Sequence, residues 1–126
     1  MSAWTDGELR QIGDATELQL ASRRTDGTLR SYTTMWVVPV GDELYVRSAG
    51  GPDRPWYRHA LASGTGRIRA GGVERDVKFE SAEAANHDAI DASYHGKYDS
   101  YGPRIVGSVV GPDKADVTIR VVKSEP

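Results

Sequence analysis

A run of apolar residues from Met35 to Val40 constrains the fold more than any other stretch of this chain. Successive side chains of a strand point to opposite faces. One face would carry Met35, Val37 and Pro39, and the other would carry Trp36, Val38 and Val40. A strand that is apolar on both faces lies either in a barrel that also packs against a helix or at a subunit interface. We predict this strand over about Thr28 to Val40, with a weak point or a sheet edge at Pro39, which cannot donate a ladder hydrogen bond.

Capping and turn signals divide the rest of the chain into short helices and strands. Thr5 and Glu8 have the spacing of a capping box, and Ser81 is placed to cap the longest helix. Gly71-Gly72 is a strong signal for a two-residue hairpin turn. The predicted elements are helix 6–14, strands 17–23, 28–40 and 44–48, helix 56–63 with Pro55 in its first turn, strands 66–71 and 73–80, helix 82–95 and strand 115–122. The segment 104–110 is either a short helix or a strand.

The number and spacing of these strands favour a small barrel. Strands joined by tight hairpins are antiparallel, and six of them in a chain of 126 residues suit a barrel with helices outside it. We therefore predict an α+β fold that is mainly β. With 38% hydrophobic residues the chain can fill one modest core, so residues 1–126 are predicted to form a single domain.

Composition excludes several classes of protein. The chain has no cysteine, which removes disulfides, thiolate nucleophiles and cysteine-ligated metals. A net charge of −2 argues against nucleic acid as a partner. No run of about 18 apolar residues is present, and the N-terminus does not have the pattern of a secretory signal. We expect a protein that is soluble and cytoplasmic and has no membrane partner.

The middle of the chain is locally basic. Between Arg47 and Lys78 there are seven basic residues against three acidic ones. Such a segment either receives an anion such as a phosphate or forms a solvated arginine face. Composition alone leaves both interpretations open.

Several short motifs occur in an order that resembles a known group of proteins. They are SRRTDG (22–27), Thr33-Thr34, LYVRSAGG (44–51) and Pro55-Trp56-Tyr57. In this order they resemble the flavin- and deazaflavin-dependent nitroreductases of the split β-barrel, FMN-binding-like fold. The chain is still more similar to an uncharacterised family of that group, the domain of unknown function numbered 2255. That similarity extends through WVV (36–38), LYVRS (44–48), WYR (56–58), GRIRAGG (66–72) and DASYHGKY (91–98).

The resemblance implies a homodimer of split β-barrels, each of about six antiparallel strands with flanking helices. It also implies FMN or a deazaflavin coenzyme in a groove near the dimer interface, and a nitroreductase-like oxidoreductase that acts on a small organic molecule. The implied cofactor-binding residues are Arg23, Arg24 and Thr25 on the phosphate side, Ser48, Gly50 and Gly51 in the glycine loop, and Trp56 at the helix start. Arg47 and Arg58 are further candidates for binding the cofactor. The candidate catalytic residues are Lys97, Tyr94 and Tyr57. Glycine-loop amides with arginines beside them are suited to phosphate.

One position departs from the pattern of these relatives. The deazaflavin-using proteins typically have a lysine between the serine and the two glycines, where this chain has Ala49. Arg47 or Arg58 would then have to supply the charge. The alternative is a barrel without a cofactor, which binds a small anionic ligand or processes it by acid-base chemistry.

Some candidate residues also have a purely structural interpretation. Trp36 and Trp56 are typical of a core or an interface, and Lys97 is typical of a helix C-terminus, where it meets the dipole. His87, Asp91 and His95 share one helix face, but the two histidines are about 12 Å apart along an ideal helix, too far to bind one ion. We predict no metal site, and no nucleophile motif of a hydrolase is present.

Overall fold

The computed structural model describes residues 4–124, in which seven antiparallel strands form one curled sheet with helices packed around it. The strands are β1 (Leu18–Ser22), β2 (Thr33–Met35), β3 (Val38–Val40), β4 (Glu43–Arg47), β5 (Thr65–Ala70), β6 (Val73–Ser81) and β7 (Thr118–Lys123). The helices are α1 (Asp6–Asp14), α2 (Pro55–Ser63), α3 (His87–Tyr98) and α4 (Pro103–Val106), with 3₁₀ turns at Asp99–Tyr101 and Pro112–Val117. None of the helices within residues 4–124 is long and apolar enough to cross a membrane.

The strand order shows that the sheet curls until its edges meet. Its order is β2-β1-β5-β6-β7-β4-β3, so β2 and β3 lie at opposite edges. Only Trp36 and Val37 join these two strands, and two residues span less than about 11 Å. The two edges must therefore be close, which is the geometry of a split β-barrel. The predicted fold class is confirmed.

The long strand predicted over Thr28 to Val40 is wrong in its extent, because it is broken at Trp36 and Val37. Side chains of α3 bind the backbone of Val37 there: the Tyr98 hydroxyl accepts from its N–H at 3.3 Å, and the Lys97 ammonium donates to its carbonyl at 2.7 Å. A backbone N–H and carbonyl that are hydrogen-bonded by helix side chains do not need a neighbouring strand as a partner. The break turns the expected six strands into seven, and residues before Thr33 form a turn with a single bridge between Arg23 and Leu29.

Both faces of this segment pack against apolar side chains, as the sequence predicted. Val37 belongs to a core cluster inside the sheet, beneath α1 and α2, and Val38 belongs to a second cluster against α3. In β4 the same alternation sends Leu44 to the first cluster and Tyr45 to the second. Pro39 lies on β3, which among residues 4–124 pairs with β4 alone and is therefore an edge strand.

Of two predicted helix starts, the one at Thr5 is confirmed and the one after Ser81 is wrong. The capping box of α1 is present, with Thr5 accepting from the N–H of Glu8 and Glu8 accepting from the N–H of Thr5. The predicted start of the long helix after Ser81 is wrong, since Ser81 is still paired in β6 and Asn86 caps α3. Segment 104–110 begins as the short helix α4, one of the two structures left open.

Candidate functional site

A cavity of about 340 Å³ lies between the loop after β4, the start of α2 and the segment around α4. Its lining is Thr34, Met35, Trp36, Arg47, Ala49, Gly50, Arg54, Trp56, Ile105, Ser108 and Val109. Two tryptophans and several aliphatic side chains make most of this surface apolar. We call it the apolar cavity.

The loop after β4 is held in shape by its own hydrogen bonds. The Ser48 hydroxyl donates to the carbonyl of Gly51 at 2.6 Å, and the N–H of Gly51 donates back to the carbonyl of Ser48 at 3.1 Å. Gly51 has a φ of 89°, in the left-handed region that favours glycine. Ser48 and Gly51 therefore shape the loop, while Ala49 and Gly50 line the cavity.

Arg47 lies at the inner wall of the apolar cavity and is only 2% exposed. Its Nε donates to the Thr118 hydroxyl at 2.9 Å and one Nη donates to the carbonyl of Val109 at 2.8 Å. It forms a short ion pair with Asp91, and its other Nη lies 3.0 Å from Nδ1 of His87. Because an arginine can only donate, His87 must accept through Nδ1. This cluster links β4, β7 and α3 to the cavity wall.

A second cavity of about 260 Å³ shares Trp56 with the apolar cavity. Its lining is Leu20, Ser22, Arg24, Arg30, Ser31, Thr33, Pro55, Trp56 and His59. Trp56 lines both cavities, and the successive residues Thr33 and Thr34 line one each. Guanidinium and hydroxyl groups are the donors that bind phosphate in proteins. We call this the polar cavity.

The two cavities bring together a subset of the residues predicted from the sequence. Arg47, Gly50 and Trp56 line the apolar cavity, and Arg24 and Trp56 line the polar cavity. Ser48 and Gly51 lie in the adjoining loop. Neither lining includes the other predicted residues, which are Arg23, Thr25, Tyr57, Arg58, Tyr94 and Lys97.

Three of the residues outside the linings, Arg23, Tyr57 and Lys97, have hydrogen-bonding partners of their own. Arg23 pairs with Asp76 at 2.9 Å, and the Tyr57 hydroxyl donates to the carbonyl of Asp116 at 2.8 Å. Burial raises the pKa of Tyr57, and the Asp116 carboxylate raises it further. Burial lowers the pKa of Lys97 to about 8, an effect that the carboxylate of Asp14 opposes. Its ammonium sits where the barrel edges meet.

Tyr94 is fully buried beside the Arg47 cluster. The Arg47 guanidinium carbon lies 5.6 Å from the centre of its ring. Burial raises the pKa of Tyr94 above its ordinary value, and the charge on Arg47 opposes the rise. As a residue of α3, Tyr94 contributes apolar packing to the second core cluster and a π face toward a buried cation.

Sequence reasoning did not place two arginines with free donors in the candidate site. Arg54 lines the apolar cavity and Arg30 lines the polar cavity, and within residues 4–124 neither guanidinium forms a hydrogen bond or ion pair. The local excess of basic residues was the available signal for Arg54. The missed wall residues Ile105, Ser108 and Val109 come from a segment far away in the sequence, and no motif marks them.

Comparisons with known proteins agree with this architecture. A family profile described as an uncharacterized protein conserved in bacteria (DUF2255) matches residues 8–121. No curated protein matches the chain in sequence. Among solved structures, an F420 reductase is 21% identical over 98% of this chain and 97% of its own, with a TM-score of 0.60.

Two further solved structures share the fold at low identity. An FAD-binding protein from Mesorhizobium loti is 14% identical over 98% of this chain and 92% of its own, with a TM-score of 0.52. A protein solved as a domain-swapped dimer is 16% identical over 87% of this chain and 81% of its own, with a TM-score of 0.60. At these identities the likeness establishes the fold.

Proposed function

The chain belongs to the DUF2255 family of uncharacterized bacterial proteins, and from that premise we propose that it binds a flavin or deazaflavin across the two cavities that meet at Trp56. The bound ring would lie in the apolar cavity and the phosphate in the polar cavity. The F420 reductase and the FAD-binding protein of the same fold act on or bind cofactors of this class.

The observation that carries the proposal is the pairing of two chemically different cavities around one tryptophan. A flavin mononucleotide has a flat, largely apolar ring and a charged phosphate, joined by a polyol chain. The apolar cavity offers Trp36, Trp56 and the Ala49-Gly50 backbone to the ring. The polar cavity offers the free guanidinium of Arg30 with the hydroxyls of Ser31 and Thr33. These donors fit a phosphate, and the two volumes suit a ligand of this size.

The residues of the chain then have defined tasks. Arg30 and Arg24 would hold the phosphate, Trp56 would separate the two compartments, and the Arg47 cluster would keep the wall at Val109 in place. When bound, the ring would supply hydride transfer to or from a small organic molecule, so we propose an oxidoreductase.

We also propose that the protein is a homodimer. The mouth of the apolar cavity carries Ile105, which is 51% exposed, and the nearby aromatic pair Trp36 and Tyr101 has ring centres 5.4 Å apart. Tyr101 is itself 48% exposed. A second copy would cover these side chains, and a protein of the same fold has been solved as a domain-swapped dimer. Light scattering of the purified protein should give twice the mass of 13.7 kDa. A monomeric mass at micromolar concentration would contradict the dimer.

The test of cofactor binding is titration of the purified protein with FMN, riboflavin and a 5-deazaflavin mononucleotide. Binding is monitored by the change in tryptophan fluorescence. We expect saturable binding of at least one mononucleotide at micromolar concentration and weaker binding of riboflavin, which lacks the phosphate. Arg30→Gln should weaken FMN about tenfold and leave riboflavin unchanged, since a charge-assisted hydrogen bond is lost. Arg10→Gln, an exposed change on α1, is the matched control. No binding of any flavin at high micromolar concentration would refute the proposal.

A further inference from the structure

We propose that the apolar cavity selects a planar aromatic molecule that carries a negative charge, and that Arg54 is the residue that recognises this charge. The inference rests on the proposed function only in placing a ligand in this cavity. It concerns the organic substrate that enters this cavity and not the flavin, and it names the class of that substrate as aromatic carboxylates.

The first step concerns the charges that line the cavity. Its lining within residues 4–124 includes two cations, Arg47 and Arg54, and no carboxylate. Arg47 is buried, and all three of its guanidinium nitrogens already bind Thr118, Val109, Asp91 or His87. Arg54 is exposed, and no hydrogen bond or ion pair occupies its guanidinium in the described part of the chain. Of the two cations on this cavity, Arg54 is therefore the one with free donors.

The second step concerns how the chain places Arg54. The residue precedes Pro55 at the N-cap of α2, and its side chain makes no capping hydrogen bond. The side chain instead crosses the glycine loop: a Cβ built on Gly50 would lie 1.8 Å from Nε of Arg54 and 2.6 Å from its Cζ. The absence of a side chain at position 50 thus makes room for the guanidinium. Gly50 does not have a positive φ, so its conformation does not require glycine. A side chain at position 50 would displace the Arg54 guanidinium from this path.

The third step concerns the rest of the lining. Around Arg54 the cavity offers Trp36, Trp56, Met35 and Val109, which are surfaces for a flat apolar body. One cation beside aromatic walls fits a ligand with an aromatic ring and one anionic group. The ammonium of Lys114 also lies nearby, 3.5 Å from the carbonyl of Ala49, but it does not line the cavity. Lys114 is therefore a competing source of positive charge that the experiment must separate from Arg54.

The test compares two probes of nearly the same shape, 2-naphthoate and 2-naphthamide, by equilibrium dialysis against the full chain. The wild type should bind naphthoate about two- to fivefold more tightly than naphthamide, the preference expected of one exposed charged pair. Arg54→Gln should bring the two probes to equal affinity. Gly50→Ala should reduce the preference without removing any charge, because the new Cβ displaces the guanidinium. Lys114→Gln and Arg104→Gln are the matched controls and should keep the full preference.

Three outcomes would overturn the inference. They are equal binding of both probes by the wild type, an unchanged preference in Arg54→Gln, or loss of the preference in Lys114→Gln alone. Circular dichroism of each variant establishes that it is folded. The flavin titrations are read separately: absence of flavin binding with a naphthoate preference would refute the proposed cofactor and leave this inference standing. Flavin binding without a preference for naphthoate would support the proposed cofactor and refute this inference.

Discussion

Removal of the Asp91 carboxylate should destabilise the protein more than removal of any exposed carboxylate on α3. Arg47 has a side chain that is 0% exposed, and Asp91, which is 28% exposed, is its only carboxylate partner among residues 4–124. Breaking a buried ion pair typically costs about 3–5 kcal/mol, because a charge is left without its partner. Arg47 keeps Thr118, the carbonyl of Val109 and His87, so we expect Asp91→Ala to cost about 2–3 kcal/mol.

The assay is urea unfolding at pH 7, monitored by circular dichroism. Asp88→Ala is the matched control, because Asp88 is an exposed residue in the first turn of the same helix and should cost less than about 1 kcal/mol. The double variant Arg47→Met with Asp91→Ala should lose less than the sum of the two single variants, because no lone charge remains buried. A cost for Asp91→Ala similar to that of Asp88→Ala, or strict additivity in the cycle, would refute the assignment of this pair as a buried anchor of the cavity wall.

Two further predictions concern stability. Burial acts to raise the pKa of Glu8, but hydrogen bonds from Lys123, the N–H of Thr5 and Arg75 outweigh it and lower that pKa from 4.5 to about 2. A carboxylate with a lowered pKa stabilises the fold above its unfolded pKa and loses that effect as the pH falls, here by about 3 kcal/mol between pH 4.5 and 2. Glu8→Gln should therefore reduce the difference between unfolding free energies measured at pH 6 and pH 3, and an unchanged difference would contradict the assignment. Gly66→Ala should lower the melting temperature, because its Cβ would lie 2.0 Å from the carbonyl oxygen of Ala21, whereas Gly96→Ala in α3 meets no atom within 4 Å and should add up to about 1 kcal/mol. Calorimetry of both variants checks the pair, and equal melting temperatures would refute the packing argument.

The sequence predicted those elements whose signals are local. The capping box at Thr5 and Glu8, Pro55 at the start of α2 and the turn at Gly71-Gly72 each depend on neighbouring residues. The two apolar faces around Val37 and Val38 likewise predicted cover on both sides. The break between β2 and β3 was not predictable in this way, because the groups that satisfy Val37 are Lys97 and Tyr98, about 60 residues later.

The same distinction applies to the candidate site. Motif order pointed to Gly50, Trp56 and Arg24, each of which lines at least one of the two cavities. An arginine between apolar strand residues needs a partner, so the existence of a partner for Arg47 was predictable. Its identity as Asp91 was not. The role of Arg54 depends on the path of its side chain across Gly50, which a residue pattern does not encode.

The indole N–H signals of the three tryptophans test the central claim most directly. Trp36 and Trp56 line the apolar cavity. Trp4 does not line it: it is 6% exposed, belongs to the core cluster inside the sheet, and its indole N–H donates to the carbonyl of Val121 at 3.0 Å. In a ¹⁵N-edited spectrum recorded during titration with FMN or a 5-deazaflavin mononucleotide, the signals of Trp36 and Trp56 should shift and saturate together while that of Trp4 stays in place. Shifts confined to Trp4, or no shift of Trp56 at a saturating concentration of a bound flavin, would contradict the placement of the ligand between these two cavities.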